Sequence, residues 1–261
     1  MTKNIGIGME VECVLNKSIH SFPVGGYHNG IKVKGLSGWK AERDGSLRGY
    51  EFESNTKHVE LVSSISHTTE SFQSVVSRFI KFMSKNKRYE LNEVLVFNDS
   101  MGSHVHVSID GFNFEKKVIY DVFTKARDFF IDKIRKSNIQ SKEEIISQYT
   151  RDYSKATTPS RFRNSEREQE WNFQSERRGN GLEWRSPNMT GIKTWDEFRT
   201  FMRITLQTLK FLIENAQKYS KKNVVNFTEA AKDNTTEINE EIIIENNHSE
   251  INEEIIAREL N

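Results

Sequence analysis

Three short stretches of this chain each place two ionisable side chains two residues apart among apolar neighbours. They are Glu10 and Glu12 in G-M-E-V-E-C, His104 and His106 in G-S-H-V-H-V-S, and Glu183 and Arg185 in L-E-W-R-S-P. Side chains on a strand alternate between its two faces, so each pair projects the same way. Three such strands in one sheet would build a face of carboxylates, imidazoles and a guanidinium. A cation that holds a phosphorylated substrate needs that set of groups.

Each stretch taken alone has a plainer reading. An E-x-E on a strand is commonly a solvent-facing surface, but Gly6 and Gly8 share the face of Glu10 and Glu12 and leave room for a ligand against the backbone. The two histidines of H-V-H can ligate a transition metal as in zinc hydrolases, bind substrate or phosphate oxygens, or be ordinary half-buried histidines. With glutamates dominating the candidates, the expected metal is a hard, oxygen-seeking Mg²⁺ or Mn²⁺. In S-E-R-R-G-N-G-L-E-W-R-S-P, Arg178 and Arg185 can grip phosphate or carboxylate bidentately, and Glu183 can ligate a metal. The alternative is a Glu–Arg ladder on an exposed strand, and Glu176 and Arg177 read as solvated. Asp44 is either a substrate contact or the side chain of an Asx-turn, and Glu51 and Glu53 read as the solvent face of a strand. The chain has no G-x-x-x-x-G-K-[ST] sequence, which excludes a P-loop nucleotide site.

Strands and helices must position these groups. From Ile5 to Leu15 the pattern alternates strictly, with Ile5, Ile7, Met9, Val11, Cys13 and Leu15 on one face, which predicts a half-buried strand. The glycine-dotted segment 24–38 reads as a loop, and Asp44-Gly45-Ser46 as a turn between two short strands. Further strands are expected at Val59 to Val62, Glu93 to Phe97, Ser103 to Ile109 and Leu182 to Ser186, the second and third of these being joined by N-D-S-M-G. Apolar residues at i, i+3, i+4 and i+7 predict helices over residues 70–84, 115–136 and 194–219. Residues 137–170 read as polar and irregular.

The chain has 261 residues, of which 35% are hydrophobic and 11% aromatic, enough for a substantial core. Lys and Arg number 38 against 37 Asp and Glu, so neither a nucleic-acid nor a membrane partner is expected. No run of about 18 apolar residues is present. Cys13 is the single cysteine, which excludes an intrachain disulfide and makes the reducing cytoplasm the expected compartment. A catalytic domain over 1–222 is expected to give way to a charged tail over 223–261, where E-I-N-E-E-I-I occurs at 237–243 and again at 250–256. That tail reads either as disordered or as a short amphipathic helix that binds a protein partner through Ile238, Ile242, Ile251 and Ile255.

Five segments in order, G-M-E-V-E, W-K-A-E-R-D-G-S-L, V-E-L-V-S, G-S-H-V-H-V and L-E-W-R-S-P-N, resemble the amidoligase family of the carboxylate–amine ligase superfamily, which includes glutamine synthetase and glutamate–cysteine ligase. V-E-L-V-S-S lacks the proline that often follows that serine in the family. The resemblance covers residues 8–190 and implies an α+β, glutamine synthetase-like fold: a curved antiparallel sheet forms the active face and helices pack on its back. It implies an ATP-dependent enzyme that joins a small-molecule or peptide carboxylate to an amine through an acyl phosphate. By the same resemblance, Glu10, Glu12, Glu60, His104 and Glu183 match metal-site positions, with His104 also near the nucleotide. Arg185 and Arg178 match phosphate-binding positions, and His106 a position near substrate. Two rival functions keep the same residues: a non-catalytic metal- or peptide-binding module, and a metal-dependent hydrolase built on His104 and His106.

Overall fold

A computed structural model describes residues 5–47, 52–86, 88–98, 101–109, 117–147, 171–172, 181–186 and 189–230. One sheet of eight strands organises them. Its strands are β1 (Ile5–Asn16), β2 (Ile31–Lys32), β3 (Trp39–Glu42), β4 (Thr56–Ser63), β5 (Leu95–Val96), β6 (Ser103–Ile109), β7 (Trp171–Asn172) and β8 (Gly181–Ser186). They lie in the order β2-β3-β4-β1-β6-β8-β7, every pairing is antiparallel, and β5 continues alongside β1 beyond the end of β6. The expected α+β class with an antiparallel sheet is what the chain adopts.

The alternation of β1 separates the two faces. Ile7, Met9, Val11, Cys13 and Leu15 are buried on the core side. That side is covered by α1 (Thr69–Met83), α3 (Lys117–Lys136) and α5 (Trp195–Ala230), with short helices α2 (Leu91–Val94) and α4 (Lys142–Ser147) between them. Aromatic rings join the layers: Trp39 of β3 stacks on Phe79 of α1 at 4.7 Å, and Trp184 of β8 meets Phe130 of α3 edge-on at 5.7 Å. Such pairs add to the burial of large apolar areas. Trp39 also donates its indole N–H to the Val75 carbonyl, 3.2 Å away. Helix α1 begins at a capping box, in which Thr68 and Ser71 each accept the other's backbone N–H. Among the described residues no helix is long and apolar enough to cross a membrane.

Several local expectations change. The strand expected from Glu93 to Phe97 is confined to Leu95–Val96, because Glu90 and Glu93 form a capping box that starts the turn α2. Segment 24–38 is not all loop, since Ile31–Lys32 pairs with β3. Glu53 lies in a single 3₁₀ turn, Glu53–Asn55, and not on a strand. The polar stretch after Lys136 contains α4, whose Ile145 is buried in the core. The last helix continues past Tyr219 to Ala230. Glu51, Glu176, Arg177, Arg178 and the repeats at 237–243 and 250–256 lie outside the described residues.

Candidate metal and phosphate site

The face of the sheet away from the helices carries the ionisable residues, and the strand register arranges them in rows. Residues opposite each other in an antiparallel pair share a face. One row runs Glu42, Glu60, Glu12 across β3, β4 and β1. The next runs Lys40, Val62, Glu10, His104, Arg185 across β3, β4, β1, β6 and β8. A third runs Gly8, His106, Glu183, Asn172 across β1, β6, β8 and β7. The three same-face pairs read from the sequence therefore lie on neighbouring strands, as expected.

The first row is dense in carboxylates. Glu12, Glu42 and Glu60 are 7–8% exposed, so each is held out of bulk water. Asp44 joins them from the turn after β3: Glu12, Asp44 and Glu60 each offer an oxygen, and these atoms lie within 4.8 Å of one another. The Asx-turn reading of Asp44 also holds, because its Oδ1 accepts from the Ser46 N–H and hydroxyl at 2.7 Å each. Leu47, three residues on, explains how the turn is held over the sheet. It is buried in a small cluster with Val14 and Met101 on this face. The Gly102 N–H donates to Glu12 Oε2 at 2.6 Å and orients that carboxylate.

Burial pushes the Glu60 carboxyl up to about 9, with the charges of Glu10, Glu12, Glu42 and Asp44 adding to the effect. Burial also moves Glu12 upward, against the opposing pull of His104 and the Gly102 N–H. Without a counter-charge, then, this group holds a proton on Glu60. A divalent cation bound here would offset the burial and the mutual repulsion of the carboxylates and displace that proton. The all-oxygen donor set is the kind that suits a hard cation such as Mg²⁺ or Mn²⁺, whereas zinc sites draw more on nitrogen and sulfur.

The second group mixes charges. His104 Nδ1 lies 3.4 Å from Glu10 Oε2 and 3.6 Å from Glu183 Oε1. His106 Nε2 is 3.2 Å from Glu10 Oε1, and Arg185 Nη2 is 2.9 Å from Glu183 Oε1. Burial would raise Glu10, but hydrogen bonds and positive charge from His104 and His106 prevail and hold it well below the usual carboxylate range. For His106, burial favours the neutral ring, yet Glu10 and Glu183 prevail and move it upward. Arg185 Nε is buried with no hydrogen-bond partner among the described residues, so the guanidinium retains a donor for a ligand. The Glu–Arg contact read from the sequence thus exists, and it is a buried one at the centre of the face.

Glycines keep this face open. A side chain at Gly8 would meet only Ser63 Oγ, at 3.9 Å, whereas a Cβ at Gly102 would lie 2.8 Å from His104 Nε2 and 3.4 Å from Glu12 Oε2. Of the site residues expected from sequence, the structure brings together Glu10, Glu12, Glu60, His104, His106, Glu183 and Arg185. The sequence reading does not place Glu42 or Asp44 in this carboxylate group. Their signal was present in W-K-A-E-R-D: Trp39 and Ala41 point inward, which sends Glu42 to the other face.

No protein-family model matches the chain, and neither a curated protein nor a solved structure does.

Proposed function

We propose that this protein is an ATP-dependent carboxylate–amine ligase with a glutamine synthetase-like curved sheet, working in the cytoplasm with Mg²⁺ or Mn²⁺. The observation that carries the reading is the convergence, on one face, of a three-carboxylate group and a buried arginine with a spare donor. Such a reaction phosphorylates a substrate carboxylate and then lets an amine displace the phosphate. Phosphoryl transfer depends on charge neutralisation and alignment more than on a covalent nucleophile. A bound divalent cation supplies charge neutralisation at the phosphates.

The chain's own residues have distinct parts in this reading. Glu12, Asp44 and Glu60 hold the cation. Arg185, steadied by Glu183, meets a phosphate oxygen. Glu10 keeps His106 charged, so that a hydrogen-bond donor faces the substrate. His104 bridges Glu10 and Glu183 and joins the two groups. The hydrolase alternative is less well supported, because the tight three-ligand group among the described residues contains no histidine.

The test is ADP release from ATP and Mg²⁺ or Mn²⁺ across a panel of amino acids and peptides, with Glu12→Gln as control. The expected result is substrate-stimulated release in the wild type and at least a hundredfold loss in the variant, with its fold retained. Equal release by both proteins, or none on any substrate, would overturn the assignment.

A further inference from the structure

The segment before β2 brings an unusual surface feature to the edge of the carboxylate row. It is tied to β3 beside Glu42. The Gly25 N–H donates to the Ala41 carbonyl at 3.0 Å, the Arg43 N–H to the Gly25 carbonyl at 3.2 Å, and the Asn29 N–H closes the turn on Gly26 at 3.0 Å. At the tip, the rings of Tyr27 and His28 lie with centroids 3.7 Å apart. His28 has φ 55°, a left-handed conformation that is costly for a residue with a Cβ. Tyr27 is 63% exposed, and His28 Nδ1 lies 3.8 Å from Glu42 Oε1. Lys40 shares the face of Glu42, and Lys32 stands opposite it on β2, both exposed.

We propose that the Tyr27–His28 turn is a stacking ledge for the base of a nucleotide whose phosphates reach the carboxylate row, with Lys40 and Lys32 flanking them on the same side of the sheet. An exposed aromatic ring fits any planar ligand; the two exposed lysines on β2 and β3, Lys32 and Lys40, select one that carries phosphates. From β3 to β1 is two strand spacings, about 10 Å. A nucleoside triphosphate stacked on Tyr27 spans that gap with its sugar and phosphate chain. Base–aromatic stacking tolerates different bases because each presents a π-face. The inference deepens the ligase reading and rests on it for the position of the phosphates.

Calorimetric titration of the full chain with ATP, and separately with inorganic triphosphate, both with Mg²⁺, tests the ledge. The wild type should bind ATP about tenfold more tightly than triphosphate. Tyr27→Ala should erase that difference and leave triphosphate binding unchanged, while Tyr27→Phe should preserve it. Unchanged ATP affinity in Tyr27→Ala, or equal wild-type affinity for the two ligands, overturns the ledge and leaves the metal site standing. Failure of the wild type to bind either ligand overturns both.

Discussion

Glu10 and Glu60 are glutamates on adjacent strands of one sheet face, and their surroundings push them in opposite directions. Glu10 has two imidazoles against it and stays charged, whereas Glu60 is buried with four other carboxylates nearby and rises to about 9. Separation of this kind, set by neighbours and not by residue type, is a mark of functional groups. The glycine between the two groups gives a prediction at this scale. Gly102→Ala places a methyl group against His104 and Glu12, so the imidazole must move. ADP release should fall by on the order of tenfold or more, since small misplacements cost heavily in positioned chemistry. A thermal unfolding midpoint near that of the wild type would show that the loss comes from the site and not the fold. The paired residues were legible in the sequence because two-residue spacing on a strand is a local signal. The place of Asp44 beside Glu12 and Glu60 was not, since it depends on Leu47 packing with Val14 and Met101.

Elements were legible in proportion to the length of their pattern. Strand β1 and helix α1 carry many alternating or helically spaced apolar residues, and both lie where expected. The five apolar-leaning residues from Glu93 to Phe97 were too few to reveal that the Glu90–Glu93 capping contact would make the first part helical. Helix α5 shows how one polar residue can fix an element. Glu197 accepts backbone N–H groups from Gln140 at 2.8 Å, Lys193 at 3.1 Å and Thr194 at 3.2 Å, while Thr194 Oγ1 accepts the Glu197 N–H in return. Burial would raise this carboxyl, but those hydrogen bonds prevail and lower it. A lowered acid stabilises the fold above its unfolded pKa, and that contribution fades as pH falls through the folded value. Glu197→Ala should therefore cost about 1–2 kcal/mol at neutral pH in denaturant unfolding. The difference from wild type should shrink as the solution is taken below the ordinary glutamate range; an equal cost at neutral and strongly acidic pH would contradict this account of the cap.

At the scale of the whole molecule, the site exists only when distant parts of the chain meet. Glu12 and Glu60 come from adjacent strands β1 and β4, while Glu183 reaches the same face from β8 by way of β6. No short segment contains the whole group, so the sequence shows the same-face pairs while the sheet register decides which carboxylates meet. In the proposed reading Glu12, Asp44 and Glu60 hold a hard divalent cation on this face. Titration of the full chain with Mn²⁺, read by electron paramagnetic resonance of the free ion, tests it without any knowledge of the substrates. The wild type should show a saturable Mn²⁺ site, weakened about tenfold or more in Glu60→Gln, and Mg²⁺ should compete for it. Equal Mn²⁺ binding by wild type and Glu60→Gln, or no saturable binding by the wild type, would contradict this reading.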